Sequence, residues 1–465
     1  MSKVKIERGA SAVVLGLGRS GLAAVRFLRH HGVRVAVSEE KSRDQIPRDD
    51  LAFLTSRNIA LETGGHSTTF CCKADFLVPS PGVPLDTPVF EAARSRDIPV
   101  LGELAIITPF VREPIIAVTG TNGKTTVTGL IGGLLRADGR EVFVGGNIGT
   151  PVFDYLLSPL RADVLVLEVS SFQLEIAGGF RPHIALFLNF SPDHLDRHGS
   201  MERYLAAKKR IFAAQKAADI AILGGDDPVV SRLEVPAGHR LLFGTASHMQ
   251  ASIRDLEIRI TGIPGMGENQ KAETYPLYRT ALTSSVNRLN GAAAVLAARC
   301  LGCSPAAVRA GLTAFTPPPN RMETVARING VRFINDSKAT NIGAMQAAIT
   351  AVNGPVVLIA GGLDKECDFS SLPGVVNGRV KNVILIGEAA EKMYTQLSST
   401  VYTEKADTLE AAVRMAHEVA VSGDTVLLAP GCASFDMFSG YAHRGESFRQ
   451  AVALLKSQER TDHRR

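Results

Sequence analysis

Ile115-Ile-Ala-Val-Thr-Gly-Thr-Asn-Gly-Lys-Thr-Thr126 joins an apolar strand to a polar helix start through two glycines and a lysine. Such a turn reads as a phosphate cradle. Gly120 and Gly123 let the backbone turn its N–H groups inward, and the helix that opens at Thr125 adds the positive end of its dipole. Lys124 then reaches terminal phosphates, and the Thr125 hydroxyl suits Mg²⁺. The match to G-x-x-x-x-G-K-[ST] is shortened, because the first glycine of that pattern would fall on Val118. The loop set expected to hold a nucleotide triphosphate is Gly120, Thr121, Asn122, Gly123, Lys124, Thr125 and Thr126.

Outward from this loop the sequence reads as an α/β domain. Leu130, Ile131, Leu134 and Leu135 recur at helical spacing and mark the buried face of the first helix. Val144-Gly-Gly-Asn147 sets one amide among glycines, and the strand Val164-Leu-Val-Leu-Glu168 ends on a carboxylate fit to hold Mg²⁺ directly or through water. Strand 184–189 leads into Ser191-Pro-Asp193-His194-Leu-Asp196-Arg197-His198, the densest polar cluster of the chain. His194 and His198 would share a helical face, which raises zinc, but Pro192 and Gly199 interrupt the turn and no third ligand has suitable spacing. A helix is expected over 201–216, and its Lys208-Lys209-Arg210 run reads first as a solvated face. A β-rich excursion follows near 256–266, then an Ala-rich helix after Asn290.

The flanking segments repeat the strand–turn–helix theme. Residues 12–28 carry Gly16-Leu-Gly-Arg-Ser-Gly21 between a buried strand and a helix, and Ser38-Glu39-Glu40 puts acids about 20 residues further on, as a dinucleotide site requires. The fingerprint alone reads equally as NAD or as the diphosphate of another nucleotide. Ser80-Pro81-Gly82 closes another strand at the same sheet edge, and the first domain should end near residue 103. Pro317-Pro318-Pro319 marks the next boundary. Beyond it, strands at 331–335, 355–360, 383–387 and 425–429 alternate with helices, with polar clusters after Asn335, Gly361 and Gly431 where ligands of such sheets bind.

Composition excludes several classes. Hydrophobic residues make up 45% and charged residues 21% of 465, which fits an ordinary globular enzyme of two to four domains. The net charge of +5 is scattered apart from the tail 460–465, so nucleic acid is not expected as a partner. No run of about 18 apolar residues or signal-peptide pattern occurs, so neither a membrane span nor export is expected. The six cysteines then read as reduced thiols of a cytoplasmic protein, Cys300 and Cys303 included.

Gly120-Thr-Asn-Gly-Lys-Thr-Thr, Gly145-Gly-Asn-Ile-Gly, Glu168-Val-Ser-Ser-Phe-Gln-Leu, Asp193-His-Leu-Asp-Arg-His, Tyr204-Leu-Ala-Ala-Lys208, Asn335-Asp-Ser-Lys-Ala-Thr-Asn and Cys432-Ala-Ser-Phe-Asp occur in that order. Together they resemble the ATP-dependent Mur ligases of peptidoglycan assembly, along the chain from Gly16 to Gly445. The Asp-Asn-Pro-Arg motif of the branch that adds a diamino acid is absent, and the resemblance is to the branch that adds D-glutamate.

The resemblance implies three domains. Residues 1–103 form a Rossmann-like domain for the UDP end of UDP-N-acetylmuramoyl-L-alanine, 104–317 a P-loop-type ATPase domain, and 318–465 a Rossmann-like domain for D-glutamate. It further implies an acyl phosphate made from ATP, two Mg²⁺ sites and a monomer that closes over its substrates. Thr125 and Glu168 resemble ligands of one metal, His194 and Lys208 of the second. A bare ammonium would repel that second ion, and the family's answer is carbamylation of Lys208. Lys124, His194, Lys208 and Asn147 are the implied catalytic set. Asn290, Arg321 and Asp336 resemble the residues that hold adenine and ribose, and Leu17, Arg19, Ser80, Pro81 and Gly82 those that hold the uridine diphosphate. Asn147 and Ser170 would meet the substrate, and Thr340, Lys365, Ser434 and Phe435 the D-glutamate carboxylates. Departures from the family occur at Ser38-Glu39-Glu40, Leu289-Asn290 and Asn320-Arg321.

Overall fold

Short apolar runs that are buried throughout, such as Ile115–Thr119, Val164–Glu168 and Ile184–Phe187, form the inner strands beside the phosphate loop, as expected of parallel sheets covered on both faces. A computed structural model describes residues 6–264, 272–364 and 368–462, with side chains through 459. The chain divides into two compact units, one of Met1–Phe190, Arg197–Pro276 and Gly291–Ala314, the other of Ser191–Asp196, Leu277–Asn290 and Phe315–Arg465. Lys365 lies outside the described residues.

The first unit holds two sheets. Ala60–Thr63, Arg34–Glu39, Ser11–Leu15 and Phe76–Pro79 pair in that spatial order, all parallel. The second sheet has nine strands, and Ile115–Thr119 lies inside it between Ile184–Phe187 and Val164–Glu168, parallel to both. Val142–Gly146 forms one edge. Parallel pairing sends the loops after all of these strands to one sheet edge, so chain segments more than 60 residues apart in sequence, such as Asn122 and Asn189, meet there. Toward the other edge, Ile220–Gly224, His239–Gly244 and Ala251–Arg254 stay parallel, and Glu257–Ile260 and Glu273–Pro276 complete an antiparallel meander. Glu257–Ile260 falls within the β-rich excursion expected near 256–266, of which 265 and 266 lie outside the described residues.

The two sheets of this unit share one core. Phe27, from helix Arg19–His30 that follows the first strand, packs at a tilt on Phe153 with ring centroids 4.8 Å apart and meets Phe110 edge-on at 5.1 Å. Phe27 and Phe153 are fully buried, worth about 2–3 kcal/mol each by area. Arg26 adds a forked contact to Asp154 at 3.0–3.2 Å.

In the second unit the six-stranded sheet runs Glu323–Ile328, Val331–Asn335, Thr425–Gly431, Val356–Gly361, Val380–Ile386, Tyr402–Lys405, parallel except for the first pair. Val356, Leu358 and Ala360 face one core and Val357 and Ile359 the other, as the two-residue period of a strand demands. Both edge strands go beyond the sequence reading, which saw only the inner four.

Two helices differ from expectation. The helix expected over 201–216 stops at Lys209, and a tighter turn over Arg210–Phe212 brings the adjacent Ile211 and Phe212 both into the core. The Ala-rich helix begins at Ser285 rather than after Asn290, because the Ser284 hydroxyl accepts from Asn287 N at 3.3 Å and caps it.

Candidate active site

The phosphate loop is held in shape from below. Gly120 and Gly123 take left-handed φ values of 149° and 86°, and a Cβ on Gly120 would sit 3.0 Å from that of Leu188. Asn189 clamps the loop: its Oδ1 accepts from Asn122 N at 2.8 Å, its Nδ2 donates to Asn122 O at 3.1 Å, and its carbonyl accepts from Thr121 N at 2.9 Å. Lys124 opens helix Lys124–Ala137 and curls its Nζ over the carbonyls of Gly120 and Thr121 at 2.9 and 2.8 Å. Thr121 and Thr126 are buried in the same turn.

At the helix start the predicted metal pair is in direct contact. Thr125 Oγ1 donates to Glu168 Oε2 at 2.7 Å. Asn147 Nδ2 donates to Glu168 Oε1 at 3.0 Å, and Asn147 N to the Glu168 carbonyl at 2.9 Å. The second contact requires Gly146, at φ 94°, because a Cβ there would lie 2.5 Å from the Glu168 carbonyl. A hydroxyl, an amide and a buried carboxylate make an oxygen-rich donor set suited to Mg²⁺.

Lys208 overturns the solvated-face reading at its own position only. It is 1% exposed while Lys209 and Arg210 face solvent. Its Nζ donates to the Gly120 carbonyl at 2.9 Å and lies 4.7 Å over the Tyr204 ring. Lys124 and Lys208 therefore share one carbonyl acceptor.

Ser170 serves helix Ser171–Glu175 as its cap, in a reciprocal pair with Gln173. His198 is buried against Ser171 Oγ at 2.9 Å and Glu175 at 3.4 Å. In the N-terminal sheet, Ser80 Oγ donates to Gly16 O at 2.9 Å and pins the Ser80–Gly82 loop to the glycine turn. Leu17 N donates to the Glu39 carboxylate, so the acid near the end of the second strand folds back on the turn. Arg19 and Gly82 are exposed beside it.

The second unit carries the other predicted residues. His194 adopts φ 54° outside the short helix Leu195–His198, so the helical pairing with His198 that suggested zinc does not form. Among the described residues no cluster of three or more His, Cys, Asp or Glu could hold a metal. His194 leans on Asp193, which in turn accepts from Asn341 Nδ2 at 3.0 Å. Arg321 sits between Asn320 and Met322, both left-handed, and Met322 N donates to Asp336 Oδ1 at 3.0 Å. Burial pushes the Asp336 carboxyl up to about 6, against the pull of that N–H and of Arg321. Asn290 Nδ2 reaches Asn287 at 3.3 Å. Thr340 precedes Asn341, which caps helix Ile342–Ala351. Ser434 is buried, while Phe435 beside it is 69% exposed.

Three family descriptions match along the chain: "Mur ligase MurD-like, N-terminal domain" over residues 10–102, "Mur ligase middle domain" over 118–298, and "Mur ligase, glutamate ligase domain" over 320–432. A "UDP-N-acetylmuramoylalanine--D-glutamate ligase" of Desulfotalea psychrophila is 44% identical, covering 97% of both chains.

The chain belongs to the Mur ligase family.

A relative of the same name from Acidobacterium capsulatum is 43% identical over 96% of each chain. In fold, this Mur ligase is similar to a pseudomurein peptide ligase type C from Methanothermus fervidus, with a TM-score of 0.60 at 20% identity over 96% of this chain and 100% of that one. The three-domain α/β architecture read from the sequence is that of the family.

Several residues that shape this ligase's site escaped the sequence reading. Asn189 ends a strand segment like many others, and only its place beside Ile115–Thr119 makes it a clamp. Lys338, noted in the sequence only as part of a polar motif, has its Nζ 3.9 Å over the Tyr441 ring, and Arg444, fully buried, donates to the carbonyls of Ser337, Cys432 and Ala433 and to Ser337 Oγ. Arg444 thereby ties the Asn335–Asn341 loop to the Cys432–Asp436 loop, and burial lowers its pKa to about 10. In the sequence it adjoins only Gly445, where the family resemblance ends.

Proposed function

We propose that this ligase joins D-glutamate to UDP-N-acetylmuramoyl-L-alanine, using ATP and yielding ADP and phosphate. The observation that carries the chemistry is the contact of Thr125, Glu168 and Asn147 at the head of a loop gripped by Lys124. The substrate assignment rests on the names borne by full-length relatives at 37–44% identity.

Bringing the γ-phosphoryl group to the alanyl carboxylate sets like charges against each other, so cations must offset them. Lys124 supplies one; the loop N–H groups and the helix start add partial charge. Thr125 and Glu168 are the residues that would hold Mg²⁺, which when bound neutralises phosphate charge. The product of this step is an acyl phosphate. The D-glutamate amine then attacks its carbonyl, and the tetrahedral intermediate collapses to amide and phosphate. Asn147, fixed on Glu168, is placed to orient the reacting carboxylate.

Lys208 is assigned as a carbamate: CO₂ adds to the neutral amine, a proton leaves, and the cation becomes a carboxylate-like ligand for a second Mg²⁺. Its burial beside Lys124 supports this, since two ammonium groups on one carbonyl repel each other. His194 is assigned to the same ion. By role, residues 1–103 take the UDP end through Leu17, Arg19, Ser80, Pro81 and Gly82. Asn290, Arg321 and Asp336 take adenosine. Thr340, Lys365, Ser434 and Phe435 take D-glutamate, and the lysine and hydroxyls suit its two carboxylates. We read the enzyme as a cytoplasmic monomer.

The test is phosphate release with ATP, Mg²⁺ and UDP-N-acetylmuramoyl-L-alanine. Release is expected with D-glutamate and not with L-glutamate, L-lysine or meso-diaminopimelate. Release with a different amino acid would keep the mechanism and move the enzyme to another step.

A further inference from the structure

Away from the loops described above, the first unit bears a solvent-open cavity of about 470 Å³ lined by Arg26, Arg29, His30, Phe53, Arg57 and Leu157. Its size is that of a small-molecule site. Three elements build it. Arg26, Arg29 and His30 stand at i, i+3 and i+4 on helix Arg19–His30 and so share a face. Arg57 ends helix Arg48–Ser56 with its guanidinium 4.7 Å over the Phe53 ring, which orders the planar group. Leu157 closes helix Val152–Leu157.

The charges in this cavity are unevenly balanced. Arg26 is fixed and offset by Asp154 at 3.0 Å. Among the described residues no carboxylate forms an ion pair with Arg29, His30 or Arg57. Two helices bring three arginines to one concavity, and a third element closes it with Leu157. Planar forks that donate in pairs match the oxygens of phosphate and carboxylate groups, and two arginines with no carboxylate ion pair suit the higher charge of a phosphate chain.

The cavity is separate from the substrate turn. Gly18 caps the start of helix Arg19–His30, and Arg29 and His30 lie at its end, about 17 Å away at 1.5 Å per residue. We propose that this cavity is a second anion site, for a molecule carrying a di- or triphosphate chain, distinct from the sites for ATP and the UDP-linked substrate. Because its walls include residues of helices Arg19–His30 and Val152–Leu157, which lie in the parts of the unit built on the two different sheets, an occupant would touch both parts.

The test is calorimetric titration of the full-length enzyme, held in excess ADP, UDP and free Mg²⁺, with inorganic tripolyphosphate and separately with GTP. One added equivalent is expected to bind, with Kd rising at least tenfold in the Arg29→Ala/Arg57→Ala double variant. That variant should keep its kcat without added anion, which shows that it folds. Equal affinities for the two ligands would mean that the phosphate chain alone is recognised; GTP binding at least fivefold tighter would mean that the base also stacks on the Arg57–Phe53 pair. No added binding, or the same affinity in the double variant, overturns the site, and because the comparison is between variants this holds whatever occupies the phosphate loop.

Discussion

Lys208 shows what burial does to a single residue. Placed 1% exposed beside Lys124, its ammonium has lost most of its hydration and gained a like charge as neighbour. Carbamylation would replace that cation by an anionic group beside Lys124. Lys208→Ala is expected to lose at least about 10²-fold in kcat, the order found when one group that stabilises developing charge is removed. Added bicarbonate should not restore it, whereas the wild-type enzyme depleted of CO₂ should regain activity with bicarbonate. Rescue of the alanine variant by bicarbonate, or full activity of that variant without it, would refute the carbamate.

At the scale of elements, Glu103 ties two helices of the site together. Its buried carboxylate accepts from Phe153 N at 3.2 Å, at the start of the helix that follows the Asn147 loop. It also faces Gln173, in the helix that follows Glu168. Burial is the largest influence and raises its pKa to about 7; the N–H groups of Phe153 and Val152 and the Gln173 side chain oppose the rise, and Asp154 adds to it. A carboxyl with a raised folded pKa keeps its proton in the folded state while the unfolded chain releases it. Stability therefore falls as pH rises from about 4.5 to about 7, by about 3 kcal/mol in all at 1.36 kcal/mol per unit. Glu103→Gln, still able to accept from Phe153 N, should flatten the dependence of Tm on pH across that window. Parallel curves for the two proteins would show that Glu103 does not titrate there.

For the whole molecule, the division into units decides which parts depend on each other. Sequence boundaries near 103 and 317 suggest three separable pieces, but the core around Phe27, Phe110 and Phe153 runs without a break between the first two sheets. A fragment ending at residue 103 would expose the face of Phe27 and leave Arg26 without Asp154. Expressed alone, it should bind hydrophobic dyes and aggregate, while a fragment spanning residues 1–314 should be markedly less prone to both. A monomeric, cooperatively unfolding fragment 1–103 would show that the shared core is dispensable.

Glycine spacing, apolar runs and the Lys124-Thr125 pair are local properties, set by which backbone angles and faces a few neighbouring residues can adopt, and they were enough to place the phosphate loop, the α/β class and the family. Glu168 was legible for the same reason, because a lone acid that ends an apolar strand stands out. Asn189, Glu103 and Arg444 were not legible, since each acquires its role from a partner far along the chain, 50 or more residues away in the first two cases and 107 away for Arg444 and Ser337. The same distance hid the burial of Lys208 within a basic run and the continuity of the core across residue 103. Sequence alone determined the chemistry on offer; strand order and burial decided which charges meet, because pairing energy depends on proximity and dehydration, which only the tertiary structure sets.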